Sequence, residues 1–163
     1  MGTMRFSITD QFDCSPQRFR EIVDSEEFER RFREETETRR VDVDEDADGE
    51  SEYREQRFVS MRDIPAMMKK TLGVDRLEYS RKERYDVDDE TIEWTVTTPF
   101  MTDRVEAGGT TVLEADDDGC LRTVEGFVAI DLPLVGSKMA EKFGGRLRDA
   151  EVATARIVRE LLE

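Results

Sequence analysis

The run Asp44-Glu45-Asp46-Ala47-Asp48-Gly49, with Glu55 beyond it, sets carboxylates in the order of a calcium loop. Such a loop offers hard oxygen ligands at alternate positions, a glycine for the turn and a distal carboxylate to close the shell. Helices should flank it, however, and residues 39–43 and 53–60 read as strands; Ser51 also stands where an aliphatic residue belongs. The segment is therefore expected to be an acidic hairpin turn, with Asp44, Asp46, Asp48 and Glu55 as a subordinate metal candidate. No cofactor is expected. Nucleophilic and acid–base chemistry has little to work with, because the chain holds no histidine and hence no Ser–His or Cys–His pair. Asp10, Arg81 and Glu83 lie in strands and could point inward, although charged residues more commonly occupy an outer face.

Apolar side chains form the other candidate site. Tyr79, Trp94, Val96 and Val112 on strands, with Met139, Phe143 and Leu147 on the last helix, are the expected lining of an internal cavity. Met67, Met68 and Phe100, from two apolar connections, should complete it at the mouth. For each of these residues ordinary core packing is the competing role. In residues 63–73, Asp63 can cap a short helix whose Ile64, Met67, Met68 and Leu72 share a face, with Gly73 ending it. Flexible methionines there would suit a lid over the cavity, and a satellite core is the alternative.

These residues need elements to hold them. From about Pro133 to Glu163, Val135, Met139, Phe143, Leu147, Ala150, Thr154, Ile157 and Leu161 recur at steps of three and four, one face of a helix. About thirty residues at 1.5 Å each would span roughly 45 Å. Lys138, Glu141, Lys142, Arg146, Arg148, Glu151, Arg156 and Glu160 fall on the opposite face and are expected in solvent, and Gly144-Gly145 is expected to let the helix bend. Upstream, residues 4–12 alternate as a first strand, Ser15-Pro16 opens a short helix, and Ser25 opens a second. Strands are then expected near 35–43, 52–61, 76–87, 90–98, 104–115 and 121–132. Their connections alternate between acidic (44–50, 86–90, 116–119) and apolar (63–73, 99–103, with Phe100 and Met101). In an antiparallel meander this gives an acidic end and an apolar end, the latter carrying Lys69, Lys70, Arg104 and Lys138.

Composition narrows the class further. The 163 residues are expected to form one domain (1–163). With 40 Asp+Glu against 25 Lys+Arg, net −15, a general nucleic-acid binder is excluded as an expectation, since such affinity comes largely from neutralising phosphates. No apolar run approaches the roughly 20 residues of a membrane span, and no charged-then-apolar leader opens the chain. Cys14 and Cys120 lie far apart, in no metal-like spacing. A cytoplasmic protein with reduced, partly buried thiols is the expectation.

One strand, two short helices, six antiparallel strands and a long final helix is an order similar to the helix-grip fold. Met4-Arg5-Phe6-Ser7-Ile8, the Ser15-Pro16 helix start, and Ile130-Asp131-Leu132-Pro133-Leu134-Val135-Gly136 running into the last helix carry the resemblance. On these residues the chain resembles the START-like proteins of the SRPBCC superfamily, in an uncharacterised bacterial branch. The resemblance implies an α+β fold, a curved antiparallel sheet of about seven strands wrapped around the C-terminal helix and enclosing a hydrophobic cavity. Binding, transfer or sensing of a lipid, fatty acid or polycyclic compound is the function it implies; fold alone does not decide it. A cyclase- or isomerase-type enzyme and an interaction module with a filled core stand as alternatives. A transient contact of the lysine-bearing end with anionic membrane is a further expected partnership.

Overall fold

The computed structural model describes residues 1–163 apart from Met1, Glu50, Val87 and Met101, and apart from the side chains of Asp42 and Asp48. The chain runs β1 (Gly2–Phe12), α1 (Pro16–Val23), α2 (Glu26–Thr36), β2 (Thr38–Asp48), β3 (Ser51–Ser60), α3 (Ala66–Leu72), β4 (Glu78–Asp86), β5 (Thr91–Thr97), β6 (Val105–Asp116), β7 (Gly119–Ile130) and α4 (Gly136–Leu162). All strands join one antiparallel sheet in the order β1-β7-β6-β5-β4-β3-β2. Among the described strands, β1 beside β7 is the step in that order that does not join consecutive strands, and α1 and α2 carry the chain from one edge of the sheet to the other. This is the helix-grip architecture, with α4 lying against the sheet.

Local chemistry sets the ends of the early helices. The Ser15 hydroxyl accepts from the Arg18 N–H at 3.1 Å with Pro16 behind it, and Ser25 accepts from the Phe28 N–H at 3.2 Å. Glu26, Glu27 and Glu29 fill the first turn of α2, where the helix dipole favours negative charge. The long helix starts later than the apolar period predicts. Pro133-Leu134-Val135 form a turn, with Leu134 at φ 69°, and the helix begins at Gly136 with no side-chain cap. It then runs unbroken for 27 residues, about 40 Å.

Gly144 does not interrupt it. A Cβ on Gly144 would fall 2.4 Å from the Met4 sulfur, so this glycine lets α4 close on β1 rather than bend. On the concave face of the sheet, Gly109 and Gly126 are register partners. A Cβ on Gly109 would meet the Trp94 ring at 2.6 Å, and one on Gly126 would meet Phe6 at 2.5 Å. Two large rings therefore lie over bare backbone.

The apolar side chains gather in two clusters. One joins Phe6, Trp94, Val96, Val128, Met139, Phe143 and Leu147 with Ile64 and Met68 from the α3 segment. The other, under α1 and α2, joins Phe12, Phe19, Ile22, Phe28, Leu113, Ile157 and Val158. Two expectations change here. The helix in 63–73 is capped at Pro65 without a side-chain bond, and Asp63 instead pairs with Lys69 at 3.8 Å. The acidic segment is mostly strand: Asp44 pairs across the ladder with Glu55, Asp46 with Tyr53 and Asp48 with Ser51. An extended ladder does not wrap an ion as a loop does. Among the described residues no group of three carboxylates or thiols is gathered to hold a metal. Met101 and the Asp48 side chain, both part of the sequence expectations, lie outside what is described.

Substituting Gly126 by Ala should overpack the Phe6–Trp94 contact and cost about 1–3 kcal/mol in urea unfolding. Adding Phe6→Leu should recover part of that loss. Strict additivity of the two changes would remove the steric explanation.

Candidate functional site

Between the two apolar clusters lies a cavity of about 760 Å³. Its concave wall comes from alternate residues of β3, β4 and β6, which by strand periodicity face one side: Arg54, Gln56 and Phe58; Tyr79, Arg81, Glu83 and Tyr85; Thr111 and Leu113. Helix α4 adds Leu147, Ala150, Glu151 and Thr154 opposite, and α1 and α2 add Phe19, Phe28 and Phe32. The aromatic part is continuous. Phe28 stacks on Phe32 at 5.7 Å, Phe32 meets Phe58 edge-on at 6.4 Å, and Phe58 stacks on Tyr79 at 5.1 Å. Offset and edge contacts at such distances are the favourable ones for ring quadrupoles.

The rest of the lining is charged. Glu151 of α4, 6 % exposed, is held by Arg122 of β7 (3 % exposed) and by Arg81 of β4 at 2.7 Å. Arg122 also approaches Asp10 of β1 at 3.7 Å, and Arg159 reaches the same carboxylate at 3.3 Å. On the other side the Gln56 amide donates to Glu83, Arg40 donates to the Gln56 carbonyl at 3.0 Å, and a second Arg40 nitrogen reaches Glu29 at 3.1 Å. Arg81 further lies over the Trp94 ring, 4.5 Å from its centroid. The result is a chain of polar contacts from α2 across the sheet to α4 and β1.

Electrostatics follow from burial. Desolvation would raise the Glu151 carboxyl, but Arg122 and Arg81 outweigh it and hold the group below its ordinary value. For Arg81, burial works against the charge, yet Glu151 and Glu83 raise the guanidinium above its usual range. Desolvation pushes the Tyr79 phenol up to about 12. Arg54 Nε, Arg81 Nε, Arg122 Nε and Thr111 Oγ1 are buried and make no hydrogen bond within the described structure.

Of the ten apolar residues expected from sequence, Tyr79 and Leu147 line this cavity. Phe143 joins them around a second cavity of about 270 Å³. Met68, Trp94, Val96 and Met139 are core residues, and Met67 and Phe100 pack against that core; none of the six lines either cavity. The methionine helix α3 is thus a plug in the core rather than a lid. Val112 is half-buried and alternates away from Thr111 and Leu113, which puts it on the convex face. The larger cavity borders the acidic end instead, where Arg20, Asp24, Glu45, Ala47, Glu52 and Tyr53 contribute to its wall.

The charged lining was visible in the periods. Glu151 continues the four-residue series Met139, Phe143, Leu147, so its placement on the solvent face is corrected by the helix geometry itself. Arg122 shares parity with Val124, Val128 and Ile130, and Arg81 and Glu83 share parity with Tyr79.

Fold and site together define a helix-grip protein with a hollow, partly charged interior. The chain belongs to the family of proteins of unknown function DUF2505, whose model matches residues 7–162. A search of curated proteins finds no match. Among solved structures it is similar to the Zhui aromatase/cyclase from Streptomyces sp. R1128, with TM-score 0.65 and 10% identity over 97% of this chain and 92% of that one. TTHA0849 from Thermus thermophilus gives TM-score 0.59 and 12% identity over 97% and 94%. Ara h 8.0201 gives 0.57 and 12% over 96% and 98%. At these identities the likeness establishes the fold.

Glu151→Gln should destabilise the protein by about 3–5 kcal/mol at neutral pH, because two buried guanidiniums lose their counter-charge. The carboxyl binds its proton less tightly folded than unfolded, so its contribution is complete above the unfolded value near 4.5 and fades as pH falls through the lower folded value. Denaturation midpoints of wild type and Glu151→Gln should therefore converge in acid.

Proposed function

We propose that this protein binds an amphipathic small molecule, such as a polycyclic compound or lipid with polar substituents, in the cavity between the sheet and α4. The observation that carries this reading is the 760 Å³ space with an aromatic wall on one side and fixed guanidinium and carboxylate groups on the other. That volume lies inside the roughly 300–1,000 Å³ range of small-molecule pockets. Apolar burial against Phe28, Phe32, Phe58 and Tyr79 would supply the drive, about 25 cal/mol per Å² before ordering costs. The Nε donors of Arg54 and Arg122, which make no hydrogen bond among the described residues, favour a ligand bearing carbonyl or hydroxyl oxygens, since a buried donor left unmatched costs about 1–3 kcal/mol. The likeness in fold to an aromatase/cyclase is compatible with such a ligand.

Binding is favoured over acid–base catalysis by the state of Glu151. A general base works best when its pKa lies near the operating pH, whereas the two arginines keep this carboxylate ionised and weakly basic. A hollow interior also speaks against an interaction module built on a filled core.

The test is a fluorescence titration with N-phenyl-1-naphthylamine, followed by native mass spectrometry after exposure to a lipid extract. Ala150→Trp, placed on α4 where both cavities meet, should cut probe affinity at least tenfold while the circular dichroism spectrum is kept. Undiminished binding by a folded Ala150→Trp protein would sink the proposal.

A further inference from the structure

The second cavity, about 270 Å³, shares Thr38, Tyr79, Leu147 and Ala150 with the first. Three arginines line it, and two of them are engaged: Arg156 pairs with Glu35, and Arg62 with Glu37 at 3.2 Å. Arg146 is different. Half-buried, it donates to the Ser60 hydroxyl at 2.9 Å, and among the described residues it forms no ion pair. The remaining carboxylate of the lining, Asp149, is exposed and makes no ion pair with it. Tyr79, Phe143, Leu77 and Leu147 form the apolar sides.

We infer that this second cavity is a carboxylate subsite, in which Arg146 receives the acid group of a ligand whose apolar body extends past Tyr79 and Leu147 into the large cavity. The inference rests on the binding function proposed above and gives its ligand a chemical class. A guanidinium in a partly apolar setting presents a planar fork that matches a carboxylate and holds it bidentately. Burial, with the neighbouring Arg62 charge, pushes the Arg146 guanidinium below its ordinary value, as expected for a cation lacking a partner. The volume argues for part of a ligand, since it falls short of the roughly 300 Å³ that whole small-molecule sites begin at. Charge argues for a monoanion: one free guanidinium balances one negative charge, and the field of a chain with net −15 opposes a dianion such as a phosphate monoester.

Calorimetric titration of the whole protein with dodecanoate, dodecanol and dodecyl phosphate below their micellar concentrations tests it. Dodecanoate should bind at least tenfold more tightly than dodecanol. Arg146→Gln should erase that advantage, bringing dodecanoate down to the affinity of dodecanol, and Arg146→Lys should retain part of it. Arg146→Met, which keeps the apolar stem, serves if the glutamine variant does not fold. Equal affinity for acid and alcohol in the wild type, or an acid preference that survives Arg146→Gln, overturns the subsite while leaving the large cavity a binding site. Tighter binding of the phosphate overturns the assignment to a carboxylate. Failure of all three probes to bind removes the subsite together with the reading on which it rests.

Discussion

The buried contact of Glu151 with Arg81 and Arg122 is the constraint on which the rest of the interior depends. It is the link that ties the long helix, by charge, to two strands well apart in the sheet, β4 and β7. Removing these groups from water costs several kcal/mol per ion, so the contact is maintained only because each charge meets an opposite one at hydrogen-bond range. The carboxylate has a guanidinium on either side, and each guanidinium has a further carboxylate, Glu83 or Asp10, behind it. A cluster of this kind contributes less to net stability than to geometry. A shift of α4 along or across the sheet would strand three charges at once, which a purely apolar seam would not punish so sharply.

That placement also explains why the interior is hollow where it is. Apolar side chains as a rule interdigitate to crystal-like density, and two clusters of buried apolar residues lie on either side of the seam. Arginine and glutamate side chains instead take the directions their partners dictate and leave room between them. Trp94 marks one border: its ring lies over Gly109 and Gly126 on the packed side and under the Arg81 guanidinium on the other. The aromatic run from Phe28 to Tyr79 marks the opposite border. The cavity is thus a consequence of running a polar network between two apolar clusters.

Sequence periodicity carried the architecture well, and physical reasons account for where it fell short on the site. Strand alternation, Ser-Pro and Ser-Glu helix starts and the three-and-four repeat of the final helix all express local rules, and those elements appear within about three residues of their expected limits, except that the strand expected at 35–43 is Thr38–Asp48 and takes up most of the acidic segment. That the acidic and the apolar connections fall at opposite ends of the sheet likewise follows from antiparallel pairing, given their alternation along the chain. Period puts Arg122 and Glu151 at inward-facing positions, but residue type argues against burying either charge singly, and the tertiary pairing across the sheet that makes their burial tolerable is encoded by no period. Gly144 reads as a hinge until β1 is brought against it, and the methionines of α3 read as a lid until Met68 is seen 2 % exposed within the main core.

Charge at the acidic end of the cavity and charge buried in the interior respond differently to salt. The large cavity is bordered at its acidic end by Asp24, Glu45 and Glu52, which are themselves engaged by Arg54 and Arg20. Salt screens exposed charges over about 8–10 Å, so the negative field of the surface weakens with ionic strength, whereas the buried Arg81–Glu151–Arg122 contact is much less affected. A ligand carrying negative charge would therefore be repelled over the surface and would find the guanidiniums of the seam already matched by Glu151, Glu83 and Asp10, leaving Arg146, which makes no ion pair among the described residues, to attract it. Its arrival would be slow in dilute salt and faster in concentrated salt, while its departure, governed by contacts inside, would change little. On the binding reading proposed above, selectivity would lie in what the interior can neutralise, and the surface would set how often a candidate reaches it.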